Sequence, residues 1–163
     1  MSKDESGAHS PVVFEPEFVE LLREIFEHRI AFNHVLGLKI DAMSADGVSG
    51  HLDMRPELIG HFIHQSLHGG VISASLDAMG GLAVMAAIGA RHMHEPPAQR
   101  LQRFAKLGTI DLRVDYLRQG IGQRFELRAQ VMRLGSRVAT THMELLGDDG
   151  KLLSTAAATY IVS

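Results

Sequence analysis

Residues 67–90 read LHGGVISASLDAMGGLAVMAAIGA, and this stretch decides the fold. From Val71 to Ala90 the run is apolar, interrupted by Ser73, Ser75, Asp77, Gly80 and Gly81. A membrane span needs about 20 predominantly apolar residues with few or no charges. The interruptions favour a buried helix, from about Gly69 to Ala90, inside a soluble protein. Apolar residues on nearly every side of a helix require a cover on nearly every side.

The segments around it supply that cover. TIDLRVDYL (109–117) alternates Ile110, Leu112, Val114 and Tyr116 with polar residues, and QRFELRAQVMRLG (123–135) alternates Phe125, Leu127, Ala129 and Val131 with Arg124, Glu126, Arg128 and Gln130. This period of two is the mark of strands with one buried face. RVATTHMELL and LLSTAAATYIV follow, joined by the turn GDDGK. Upstream, LGLKIDA and GVSGHLDM form a hairpin about Asp46-Gly47, and Pro56 ends its second strand. Further upstream, Phe18, Leu21, Leu22, Ile25, Phe26 and Ile30 recur at helical spacing. Residues 57–68 read as a His-rich loop. Pro96-Pro97 breaks the pattern after the long helix, and a short basic helix with Arg100, Arg103 and Lys106 on a solvated face is expected beyond it. The expected architecture is α+β: an antiparallel sheet of five to six strands wrapped around one long central helix.

The chain of 163 residues suits one domain, read as 15–163 behind a flexible tail, 1–14. A net charge of −3 offers no basic field for nucleic acid. There is no cysteine, which excludes disulfides and thiolate chemistry. The polar start MSKDESGAHSP lacks an apolar signal core, so a cytoplasmic protein without a membrane partner is expected.

Asp77 is the lone carboxylate of the apolar run. Gly80 and Gly81 beside it each cost ~1 kcal/mol relative to Ala in a helix, so a second surface is expected to approach the backbone there. A half-desolvated carboxylate is a candidate base or nucleophile. At the helix start, Gly69 and Gly70 offer N–H groups without intrahelical partners, a candidate oxyanion site. Eight residues of helix span about 12 Å. Base and donor must each stand within about 3 Å of atoms at one carbonyl. Two antiparallel helices at a two-fold interface meet that condition, Gly69 of one facing Asp77 of the other, so a composite site and at least a homodimer are expected.

LHGGVISASLDAMGG resembles the helix motif of PaaI-like hotdog acyl-CoA thioesterases, in which an acid follows the His of His-Gly-Gly by nine positions. GTIDLRVDYLRQGIGQRF and VMRLGSRVATTHMEL resemble the strands after it, and the leading helix and the insertion at 91–107 match the YigI-like branch best. The resemblance implies a hotdog fold and hydrolysis of acyl-CoA with no cofactor; the scarcity of large aromatics points to medium- to long-chain aliphatic acyl groups, and the homodimer is expected to pair into a dimer of dimers. It implies Asp77 as the catalytic carboxylate, Gly69 as the donor to the thioester carbonyl, His68 orienting the loop and Thr109 positioning the attacking water. Tyr116 and Arg118 would lie near the pocket, beside Gly70. The turn Arg133-Leu134-Gly135-Ser136-Arg137-Val138 would touch the nucleotide part of CoA. Many relatives carry an Asn ahead of His-Gly-Gly; residues 57–68 contain none, and His61 sits near that place, with His64 and Gln65.

Two other functions fit the residues. A hotdog scaffold binding acyl-CoA without cleaving it, or hydrating an enoyl thioester, would share the fold. A metal hydrolase would use His61, His64 and His68, with His92 and His94 in addition, although the chain lacks an H-E-x-x-H signature.

Overall fold

The computed structural model describes residues 12–163. The part of the expected tail in residues 1–11 lies outside the described residues; Phe14 is already packed, its ring 5.1 Å from that of Phe18.

The leading helix forms in two pieces. α1 (Pro16–Glu24) continues through a π-helical turn (Ile25–Arg29), breaks at Ile30, and resumes as α2 (Ala31–Leu36). In the wide turn Ile30 N–H bonds to the Ile25 carbonyl. The Phe26 carbonyl, deprived of that donor, accepts instead from the buried Asn33 side chain at 3.0 Å. Leu36, expected on the first strand, therefore ends a helix, with Gly37 as its left-handed cap at φ 74°. Glu27 turns inward, accepting from Ile40 N–H, Lys39 and Arg23. Burial works against its ionised form, but those donors outweigh it and hold the carboxyl below its ordinary pKa.

β1 (Lys39–Met43) and β2 (Val48–Asp53) make the first hairpin. The expected His-rich loop contains a miniature hairpin, β3 (Ile59–His61) and β4 (Ser66–Leu67). The central helix α3 runs from Gly69 to Arg91, and a short α4 (Pro97–Gln102) follows. β5 (Gly108–Tyr116), β6 (Arg124–Leu134), β7 (Val138–Leu146) and β8 (Leu152–Ile161) complete a six-stranded antiparallel sheet ordered β1-β2-β6-β7-β8-β5. Leu76, Met79, Leu82 and Val84 of α3 are buried against Leu52, Phe125, Leu127, Met143 and Leu145 of the sheet. Each such side chain contributes roughly 1.5–3 kcal/mol.

Two expectations fail here. Ile110 does not face the core: a bulge between Thr109 and Asp111 turns it out, 58% exposed, on an edge strand. Tyr116 is also exposed. Arg100 is not solvated. It is fully buried, because α4 docks on α1. Its guanidinium donates to Glu15 at 2.5 Å and to the Met93 sulfur at 2.9 Å, and lies 4.2 Å over the Phe18 ring.

Candidate active site

The start of α3 is shaped by its neighbours in sequence and by β5. His68 caps the helix: its Nδ1 accepts the Gly70 N–H at 2.8 Å, so the ring proton sits on Nε2. Gly70 N–H is therefore engaged within the cap. Gly69 N–H has no acceptor among the described residues. Tyr116 leans over it and donates to the Gly69 carbonyl at 3.0 Å. Gly60 explains how His68 is seated. A Cβ at Gly60 would lie 2.4 Å from His68 Cα, so only glycine lets β3 cross there. A groove of about 380 Å³ opens at this point, with Gly69, Tyr116, Arg118, Ile72 and Leu117 on its wall.

Two turns along α3, half-buried Asp77 meets a second set of donors. Thr109 Oγ1 donates to Asp77 Oδ1 at 2.9 Å. The Tyr160 hydroxyl lies 3.1 Å from the same oxygen and 2.8 Å from the Asp77 carbonyl, sharing its one proton between them. Burial, then the adjacent Asp77 charge, pushes the Tyr160 hydroxyl far above its ordinary pKa, so it remains a donor. Asp77 Oδ2 has no hydrogen-bond partner among the described residues. One carboxylate oxygen is pinned and the other is left to reach a water or a carbonyl.

The surface that approaches Gly80 is Tyr160 itself. A Cβ at residue 80 would stand 2.3 Å from its hydroxyl. Tyr160 was not among the expected site residues. The glycine pair is half of the signal for it; the other half is a single tyrosine among the alanines and threonines of β8, which only the register opposite Thr109 connects to Asp77.

The expected residues thus fall into three groups. Gly69, Tyr116 and Arg118 share the groove at the helix start, with Gly70 in the cap beside it. Thr109 joins Asp77. Gly135 and Ser136 open onto another groove, of about 450 Å³, at the far end of α3, where Arg91, Arg103 and Lys106 collect. Arg133, Arg137 and Val138 are exposed in and beside the same turn without lining that groove. His61 and His64 line neither of these grooves. They stack on each other, ring centres 4.6 Å apart, on the exposed β3–β4 tip with Phe62 and Ile63. With His68 occupied as the cap, these three histidines do not converge on a common ion. Among the described residues the one triad of possible metal ligands is His92, His94 and Glu95.

A long helix wrapped by a six-stranded antiparallel sheet is the hotdog fold. Residues 64–154 match the thioesterase superfamily, and the chain belongs to it. It is 35% identical over 153 residues to the medium/long-chain acyl-CoA thioesterase YigI of Salmonella typhimurium, covering 94% of this chain and 99% of that one, and 33% identical over the same length to YigI of Escherichia coli K12. A crystal structure from Shewanella oneidensis related to the thioesterase superfamily superposes with a TM-score of 0.83 at 40% identity, covering 92% of this chain and all of that one. A thioesterase family protein from Silicibacter pomeroyi shares the fold, with a TM-score of 0.71 at 23% identity over 88% of this chain and 96% of that one.

Proposed function

We propose that the protein hydrolyses medium- to long-chain acyl-CoA thioesters at a site shared by two protomers. The observation that carries the reading is the anchored Asp77 with its free Oδ2. The chain length follows the YigI relatives named above.

β5 supplies the argument for a shared site. Its Thr109 end is tied to Asp77 and its Tyr116 end to Gly69. It is a free edge of the sheet and exposes Ile110, with Leu117 just beyond. An exposed edge of this kind invites a second strand. If two copies of β5 pair antiparallel about a two-fold axis near Leu112, the Asp77–Thr109 end of one chain meets the Gly69–Tyr116 end of the other. Asp111 then stands opposite the partner's Arg113, a favourable cross-strand pair. The basic groove at the Gly135-Ser136 turn lies at the Asp77–Thr109 end as well, because Gly108 and Ile161 are register partners and Val162 lines that groove.

In this arrangement the Gly69 N–H of one chain takes the developing charge on the thioester oxygen, aided by the positive end of α3. Asp77 Oδ2 of the other accepts a proton from the attacking water. Tyr160 and Thr109 hold the carboxylate in place. Arg103, Lys106 and Arg91 face the phosphates of CoA. Transfer of labelled solvent oxygen into Asp77 during a single turnover would show instead that the carboxylate itself attacks.

Thiol release measured across acyl-CoAs of increasing length tests the activity, and its absence for every length leaves a binding protein. The shared site is tested by subunit mixing. Gly69→Pro deletes the N–H at the first helical position, where proline is tolerated, and Asp77→Ala removes the carboxylate. Each variant alone is expected to be inactive. Mixed oligomers regain activity if the two residues act across the interface, and remain inactive if they act within one chain.

A further inference from the structure

The turn that links α3 to α4 carries a group of ligands unrelated to thioester hydrolysis. His92 Nδ1 lies 3.7 Å from Glu95 Oε1, and His94 Nε2 lies 3.8 Å from the same oxygen. All three atoms are within 4.8 Å of one another. Around a tetrahedral Zn²⁺ with bonds of about 2.0–2.1 Å, ligand atoms stand roughly 3.3 Å apart. The two histidine–carboxylate sides are each about half an ångström from that spacing, and the His92–His94 side closes by rotation of the exposed His94 ring.

Three further features favour an ion there. His92 Nδ1 is buried and has no hydrogen-bond partner, which is costly for a polar atom unless something else engages it. Arg103 Nε grips the other Glu95 carboxylate oxygen, Oε2, at 2.8 Å, as outer-shell partners of metal-binding carboxylates do. All three ligands fall within four residues, and Pro96-Pro97 stiffens the chain directly after them, so little conformational freedom is lost on binding.

We propose that His92 Nδ1, His94 Nε2 and Glu95 Oε1 form a site for a borderline divalent transition metal, Zn²⁺ in the first instance, with its outer coordination positions open to water. Two neutral imidazoles and one carboxylate select Zn²⁺, Co²⁺ or Ni²⁺ over Mg²⁺ and Ca²⁺. On Oε1 the ion displaces the Arg103 Nη2 contact. It thereby fixes the α3–α4 turn and frees part of the Arg103 charge towards the basic groove that His92 also lines. The site is independent of the thioesterase reading and is tested without an activity assay.

Untagged protein stripped with chelator is titrated with ZnCl₂ by calorimetry, and with Co²⁺ by its visible absorption. One ion per chain is expected. His94→Gln and His92→Gln are each expected to weaken it at least about tenfold and to abolish the cobalt band. His94 is exposed, so its loss leaves the fold intact, and circular dichroism checks His92→Gln. His61→Gln/His64→Gln is expected to bind as the parent does. The proposal is overturned if no heat or band develops, if Mg²⁺ competes equally, or if binding is lost with the His61/His64 pair and kept without His92 and His94.

Discussion

The two ends of the central helix present different polar groups, as the proposed site requires. At the Gly69 end the polar groups are few and fixed: one unpartnered N–H, a tyrosine hydroxyl, and Arg118, which donates to the Leu152 carbonyl. At the Arg91 end three cations line a groove of similar size, and Arg103 is already neutralised by Glu95. The helix dipole explains part of the contrast, since basic side chains are favoured at a helix C-terminus and an anionic oxygen at its N-terminus. Geometry explains the rest. A reacting carbonyl needs one donor in one place, whereas flexible phosphates need only charge nearby. Substitutions at the Gly69 end should therefore alter kcat, and those at the basic end KM.

The largest effect is expected from Gly69→Pro. It should lower kcat about 10²–10³-fold while circular dichroism and melting stay close to wild type. A kcat within about threefold of wild type would remove the backbone donor from the mechanism. Next is Arg100→Ala, at the other end. Loss of the buried guanidinium from Phe18, Glu15 and Met93 should destabilise the fold by about 3 kcal/mol in urea unfolding, without a direct effect on kcat. Tyr160→Phe keeps the ring beneath Gly80 and deletes only the hydroxyl. We expect kcat to fall about tenfold with KM unchanged, the mark of a residue that aims Asp77 rather than binding substrate. The smallest effect is that of Lys106→Ala on its exposed site: a KM rise of about two- to fivefold that fades as salt is raised. A salt-independent rise would assign Lys106 a packing role instead.

The parts of this design that were legible before the structure are those written in local pattern. α3 declared itself because its apolar residues are contiguous, and β6 to β8 because their alternation is local. Asp77 stood out as one charge in a long apolar stretch. What local pattern cannot carry is pairing over distance. Arg100 reads as a solvated cation until Glu15, 85 positions away, is brought beside it. Tyr160 lies 83 positions from Asp77, and nothing in the composition of β8 announces the contact. Ile110 fits an alternating strand, and a single bulged residue reverses its face. The histidines at 61, 64 and 68 show the opposite failure. Their spacing suggests convergence, yet His68 is engaged as the helix cap while His61 and His64 stack on each other at the exposed hairpin tip.

The anchoring of Asp77 by β8 also bears on how the protein is made. Among the described residues β5 pairs only with β8, so the sheet cannot admit it until that later-synthesised strand has arrived. The same event delivers the tyrosine that braces the carboxylate. Until the chain has been synthesised beyond residue 160, Asp77 therefore lacks the hydroxyl that braces it and β5 lacks its neighbour in the sheet.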